Sequence, residues 1–232
     1  MYDFIRKTDL WRFWDANLHK EFDQTKLFHL KTIQDLAVFE HLKAASGLRI
    51  AEIGGGESRL LATLQRNNTC FNVEKFEGQD GGPGKEVKVR GVENVKVFLG
   101  ENSPLLPTNS FDIVFSVSVI EHVPTGQLDA FFEDGLRILK PGGLWLHAID
   151  IYLEDSPQHF IKDRFERYRD WVRDPRIDPV GNILDGEPAF SPDIATNPDN
   201  VMYEWGKVAP KLIALRQQAQ SASLLLAGRK RA

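Results

Sequence analysis

The pattern of apolar and polar positions divides the chain into three stretches. From Thr8 to Ala45 apolar residues recur at helical spacing, as in Leu30, Ile33, Leu36, Ala37 and Phe39, and Ser46-Gly47 supplies a stop signal. From Leu48 to Ile151 short apolar runs alternate with helical segments. Strands are predicted at Leu48–Ile53, Cys70–Glu74, Val95–Leu99, Phe111–Val119 and Leu144–Ile149. Helices are predicted at Glu57–Asn67 and Gly126–Lys140, the second ended by Pro141-Gly142-Gly143. The run Phe111–Val119 does not alternate, as expected for a strand covered on both faces. Strands that alternate with helices imply an α/β fold built on a parallel, doubly wound sheet. From Tyr152 onward the pattern loosens into a helix at Phe160–Val172, a proline-rich loop, a helix at Val201–Gln218 and a last strand at Ser223–Lys230. The expected units are therefore 1–46, 47–151 and 152–232.

Composition narrows the function classes. The 232 residues carry a formal net charge of −4, so a polyanion gains little from the chain's field, and nucleic acid is not expected as a partner. Cys70 is the only cysteine, which rules out an intrachain disulfide and fits a reducing compartment. No stretch approaches the roughly 18 apolar residues of a membrane span. A cytoplasmic location is expected.

The candidate chemistry begins at Ala51-Glu52-Ile53-Gly54-Gly55-Gly56-Glu57-Ser58-Arg59, where a strand turns into a helix. Gly54 and Gly56 permit a tight turn and let a ligand approach the backbone. Glu52 stands beside that bend, where it would repel a pyrophosphate but not a ligand bearing a sulfonium and an ammonium. The third glycine of the dinucleotide fingerprint is replaced, with Ser58 near its place, and no Lys-Ser or Lys-Thr follows as in a phosphate-binding loop. Glu74 ends the second strand about 20 residues after Gly54, where a carboxylate can accept both hydroxyls of a ribose.

These residues resemble motif I of class I S-adenosylmethionine-dependent methyltransferases of the type 11-like group. The stretch from Gly100-Glu101 through SPLLPTNSFDIVFSVSVIEHV is similar to their central motif, and Arg137-Ile-Leu-Lys-Pro-Gly-Gly to the signature before the fifth strand. The nearest subfamily includes the quinone-biosynthesis C-methyltransferases. The resemblance implies a Rossmann-like, mostly parallel seven-stranded sheet with an N-terminal helical lid, and S-adenosyl-L-methionine as cofactor. It implies that Glu52, Gly54 and Gly56 surround the methionine part and that Glu74 holds the ribose. Glu101, with Asn102 beside it, would lie next to the adenine. Ser116 and Val117 would offer backbone groups, and His122 would line the cofactor. The loop Phe76–Glu86 is longer and richer in glycine than the family pattern.

Methyl transfer needs alignment of acceptor, methyl and sulfur, and a hydroxyl acceptor also needs a base. His147 and Asp150, at the end of the fifth predicted strand, are the candidate catalytic residues. Their spacing also resembles methyltransferases of glycan and capsule biosynthesis. Residues three apart on a strand point to opposite faces, so at most one of the two is expected to face the acceptor unless the strand has ended. Two such ligands without a third make no metal site, and none is expected. Trp11, Phe13, Trp14 and Phe22 form an N-terminal aromatic group, read either as a helix packed on the domain or as a lid. Trp171, Tyr203 and Trp205 are candidates for the facing wall. The expected reaction is O-methylation of a small molecule or of a glycan sugar. A nicotinamide-dependent oxidoreductase and a non-catalytic cofactor-binding scaffold are the alternatives, the first disfavoured by Glu52 and the missing third glycine.

Overall fold

The computed structural model describes residues 1–21, 30–78, 82–154, 159–185 and 219–232. In chain order these form β1 (Tyr2–Phe4), α1 (Lys7–Asp15), α2 (Leu30–Leu42), β2 (Arg49–Ile53), α3 (Arg59–Leu64), β3 (Thr69–Val73), β4 (Val92–Val95) and β5 (Phe111–Val117). They continue as α4 (Leu128–Ile138), β6 (Leu139–Glu154), α5 (His159–Arg173), β7 (Ile177–Pro179) and β8 (Ala219–Lys230).

The strands make one sheet in the order β1-β8-β6-β5-β2-β3-β4, with β7 also paired to β8. The β2/β3, β2/β5, β3/β4 and β5/β6 pairs are parallel, while β8 runs antiparallel to β6. The chain builds outward from β2 through β3 to β4, then returns to add β5 and β6 on the other side. Strand order therefore reverses between β2 and β5, and doubly wound sheets bind ligands at the carboxyl ends of the strands at such a switch point.

Each face of the sheet carries its own apolar layer. On one face Ala51, Ile53, Val114, Trp145 and Ile149 pack against Phe131, Phe132 and Leu136 of α4 and Tyr168 and Trp171 of α5. On the other Ile50, Cys70, Ile113, Phe115 and Leu146 pack against Phe13 of α1, Ile33 and Leu36 of α2 and Leu60, Leu61 and Leu64 of α3. The period of two along β2, β5 and β6 assigns every site residue below to one face or the other.

The expectations meet this architecture with four differences. The described sheet has eight strands, not seven, because the outer edge of β8 is shared end to end by β7 (opposite Gly228–Lys230) and β1 (opposite Leu224–Leu226). The segment read as a helical lid accordingly divides. Tyr2 and Phe4 belong to the sheet, α2 is a layer of the core, and on α1 Phe13 is buried while Trp11 stays exposed. The third parallel strand sits at Val92–Val95 rather than Val95–Leu99, and β6 is longer than expected, starting before Pro141 and running past Ile149. The helix read at Val201–Gln218, with Tyr203 and Trp205, lies outside the described residues, as does Phe22. Among the described residues no helix is long and apolar enough to cross a membrane.

Candidate functional site

The glycine bend after β2 is fixed from β3. Gly54 and Gly56 have positive φ, +65° and +52°, a backbone region open to glycine and strained for other residues. The Gly54 N–H donates to the Val73 carbonyl (2.9 Å) and the Gly55 N–H to Asn72 Oδ1 (3.1 Å). Asn72 Nδ2 in turn donates to the Gly56 carbonyl (3.0 Å). A Cβ on Gly55 would lie 2.9 Å from both Asn72 Oδ1 and Glu52 Cδ, so the bend is closed on that side by the two polar side chains themselves.

Glu52 shares a face with Ile50 and is buried beneath the bend. The hydroxyl of Ser58 donates to its carboxyl, while Ser58 Oγ accepts from the Leu61 N–H (2.9 Å) and so caps α3. Burial pushes the Glu52 carboxyl up to about 8, with the Ser58 hydrogen bond pulling the other way. In the empty protein at neutral pH this acid holds its proton, and an incoming cation would favour its ionised form.

At the end of β3, Glu74 Oε1 accepts from the Phe76 N–H (3.1 Å), with Phe76 itself at φ +60°. The carboxyl of Glu74, read as the ribose contact, is thus oriented two residues before the loop Phe76–Glu86. Glu101 is exposed and ties to Lys75 (3.3 Å), whose ammonium sits 4.5 Å from the Phe98 ring centroid. Beside it, the buried Asp134 of α4 accepts from the Gly100 N–H (2.7 Å) and the Asn102 N–H (3.3 Å), and pairs with Arg137 (2.6 Å). Arg137 also donates to the Leu106 carbonyl (2.7 Å). A charged pair from α4 therefore pins the loop assigned to the adenine.

Four further residues of the sequence reading are placed as follows. Ser116 is paired on both sides, with Ile53 of β2 and His147 of β6, so its backbone belongs to the sheet. The Val117 carbonyl accepts from Lys31 Nζ (3.1 Å). His122 is largely exposed, with Nε2 4.0 Å from Glu121 Oε1. His147 lies in the aromatic core, its Nδ1 2.7 Å from Ser116 Oγ and its ring centroid 3.9 Å from that of Trp145. Burial pushes His147 down to about 3, and it is neutral at any physiological pH. It points to the α4 face, whereas Asp150 points to the α2 face, as their spacing requires.

Asp150 is the centre of a polar cluster at the carboxyl ends of β5 and β6. Its Oδ1 accepts from Gln34 Nε2 (2.5 Å) and lies 3.2 Å from Ser118 Oγ. Gln34 also donates to Ser223 Oγ (3.0 Å), and its Oε1 accepts from Ser118 Oγ (3.0 Å). Ser118 has φ +53° and turns the chain sharply out of β5. Three residues on, in the turn Ile120–His122, both carboxyl oxygens of Glu121 are shut off from solvent with no hydrogen-bond partner. Burial and then the charge of Asp150 push this acid up to about 8.

Asn72, Asp134, Gln34 and Glu121 were not singled out from the sequence. The first three act across 16 to 189 residues of chain and have no local signature. Glu121 was visible only as half of a Glu-His pair common in the family. Among the described residues no group of three metal-ligating side chains comes together.

Comparison with known proteins places this geometry. Residues 51–146 match the methyltransferase domain family. The sterol 24-C-methyltransferase erg6 of Aspergillus fumigatus is 27% identical over 176 residues, covering 66% of this chain and 43% of the fungal protein. The chain thus spans under half the length of that relative. Among solved structures, geranyl diphosphate C-methyltransferase of Streptomyces coelicolor, bound to S-adenosyl-L-homocysteine, superposes with a TM-score of 0.55 at 17% identity, covering 93% of this chain and 82% of that one. Phosphoethanolamine N-methyltransferase 2 of Haemonchus contortus, bound to S-adenosyl-L-methionine, gives 0.54 at 18% identity over 86% and 52%. The glycine bend at the switch point and the acids at the ends of β2 and β3 thus fall within the stretch, residues 51–146, that is similar to the methyltransferase domain family, on a sheet with the Rossmann-like fold of these methyltransferase structures.

Proposed function

We propose that the chain methylates a hydroxyl group on a small polar molecule, a sugar being one such acceptor, with S-adenosylmethionine as donor. When bound, the donor supplies a methyl group on a sulfonium whose charge disappears as the methyl leaves. On the donor side, Glu52 and the Gly54–Gly56 bend receive the methionine part, Glu74 the ribose hydroxyls, and the Glu101–Asn102 loop the adenine. On the acceptor side, Asp150 is oriented by Gln34 and Ser118, and it can accept a hydrogen bond from an acceptor hydroxyl and hold its oxygen in line.

The observation that carries this reading is the polarity of the rim where β5 and β6 end: Lys31, Gln34, Ser118, Glu121 and Asp150. Burying an unpaired polar group against a hydrocarbon acceptor costs free energy, so a polar rim favours an acceptor that returns hydrogen bonds. A sterol or prenyl chain would cover this rim with hydrocarbon and return no hydrogen bond to it. The test is donor with a tritiated methyl group offered with three acceptor sets. These are sugars and sugar nucleotides, sterols and prenyl alkenes, and amines including phosphoethanolamine. Label is expected in an ether of the first set. Incorporation confined to the second or third set overturns the proposal.

A further inference from the structure

We propose that Glu121 is the group that takes the acceptor's proton, and that the positive charge of the bound donor arms it by driving off the proton it holds in the empty protein. This rests on the reading above that the acceptor is a hydroxyl.

Three observations converge on Glu121. The first is position. Val119 fills the space beside Gly54, so closely that a Cβ on Gly54 would lie 2.6 Å from Val119 Cγ2. Glu121 follows two residues later, so it stands at the same switch point as the donor's glycine bend. The second is satisfaction. Buried polar atoms in folded proteins nearly always have partners, yet neither Glu121 oxygen has one in good hydrogen-bond geometry, the backbone N–H groups of Glu121 and Asp150 only approaching the carboxyl. The turn that carries them is nevertheless held firmly, since Arg164 of α5 donates to the Val123 carbonyl (2.6 Å) and the Ile120 carbonyl (3.4 Å). A rigidly presented, unpartnered carboxyl is suited to a partner that arrives with a ligand.

The third is the charge around it. Asp150 of β6 opposes ionisation of Glu121, Lys31 of α2 favours it, and His122 lies 4.0 Å away in the same turn. From α5, Tyr168 is close enough for Glu121 to raise its phenol, and Arg164 bonds the Tyr168 hydroxyl at 3.3 Å. Burial and Asp150 prevail over Lys31, and the acid is held near neutrality, where one added cation tips it. An acid whose pKa lies close to the working pH is also the efficient form of a general base. In the transfer step the acceptor oxygen forms the new O–CH3 bond and the S–CH3 bond breaks. Its electron pair stays on sulfur, leaving a neutral thioether, and the hydroxyl proton passes to the Glu121 carboxylate.

Calorimetry tests this without knowledge of the acceptor. S-adenosylmethionine and S-adenosylhomocysteine differ at sulfur, charged in one and neutral in the other, and share every other titrating group. Binding of each is measured from pH 6.5 to 8.5 in two buffers of different ionisation enthalpy. In the wild type the sulfonium ligand is expected to release more protons than the thioether near pH 7. The ratio of their affinities is expected to rise by about tenfold over the range, as one coupled site permits. Glu121→Gln should lessen the pH dependence of that ratio to the part that Glu52 leaves, and adding Glu52→Gln should remove the remainder. Asp150→Asn, which removes the opposing charge, should shrink the proton release and serves if Glu121→Gln fails to fold. Equal proton release by the two ligands in the wild type, or a pH dependence of the ratio undiminished in Glu121→Gln, overturns the proposal. If calorimetry behaves as expected while label enters only amines or alkenes, the hydroxyl reading fails and the arming of Glu121 stands. The reverse pair of results retains the hydroxyl acceptor and removes Glu121.

Discussion

Replacing Gly54 by alanine tests whether the donor bend is built as described. Two costs are expected, and the structure separates them. At φ +65° an L-residue costs about 1–2 kcal/mol. The added methyl would also sit 2.6 Å from Val119 Cγ2, about 1 Å inside ordinary contact, and forced overpacking of this kind costs about 1–3 kcal/mol. The bend cannot slide away, because Gly54 N–H is bonded to Val73 and Gly55 N–H to Asn72. Alanine returns only about 0.4–1 kcal/mol by restricting the unfolded chain. A net loss of about 3 kcal/mol follows, or roughly 6–12 °C in Tm for a chain of this size. Urea unfolding of Gly54→Ala, Val119→Ala and the double variant isolates the methyl clash. The cycle should show a coupling of about 1–2 kcal/mol, with the left-handed backbone cost remaining in the double variant. Coupling within about 0.5 kcal/mol of zero, the scatter of independent sites, would refute the contact between bend and turn.

Asp134→Asn should destabilise the chain by about 2–3 kcal/mol in urea, because it leaves Arg137 without its buried partner and weakens the bonds to Gly100 and Asn102. It should also weaken donor binding; unchanged affinity would detach that loop from the adenine. Glu52 is raised in the folded state, so its contribution to stability is complete below about pH 4.5 and is lost as pH rises through about 8. Glu52→Gln is therefore expected to flatten the fall in unfolding free energy over that window, and a fall that persists unchanged would clear Glu52 of it. For His147, lowered in the folded state, stability is lost as pH falls from about 6.5 toward 3. His147→Phe should lessen that acid sensitivity and leave donor affinity intact, whereas loss of donor binding by an otherwise folded variant would return His147 to the site.

Local pattern sufficed wherever a segment's own residues decide its state. The β2 strand, the capped α3 and the buried β5 run were legible because each is bounded by glycine, Ser58 or an abrupt change in polarity. The edge of the sheet was not. Tyr2 reads as part of an aromatic, charged start, and only the pairing of Tyr2–Phe4 with Leu224–Leu226 across the length of the chain makes it a strand. The same holds for the extension of β6, whose last residues lack a strand's alternation and are ordered by an antiparallel ladder with β8. At the site, residues that bend the chain or end a strand were visible: Glu52, Gly54, Gly56 and Glu74. Those that brace it from another element were not, since Asn72 and Asp134 look like ordinary polar positions in a strand and a helix.

An ionised Glu52 repelling a pyrophosphate was one of the two reasons to disfavour a dinucleotide, yet Glu52 holds its proton at neutral pH before the donor binds. The discrimination survives for another reason. A phosphate at a glycine-rich turn is bound by backbone N–H groups directed at it. Here the Gly54 and Gly55 amides are already spent on Val73 and Asn72, so the bend offers an anion little. What it offers instead is two acids, Glu52 under the bend and Glu121 beyond Val119, each held near neutrality by burial. A neutral ligand leaves both protonated. A cation ionises them and is then held by the charge it has created, which makes affinity for a sulfonium depend on pH in a way that affinity for its thioether does not.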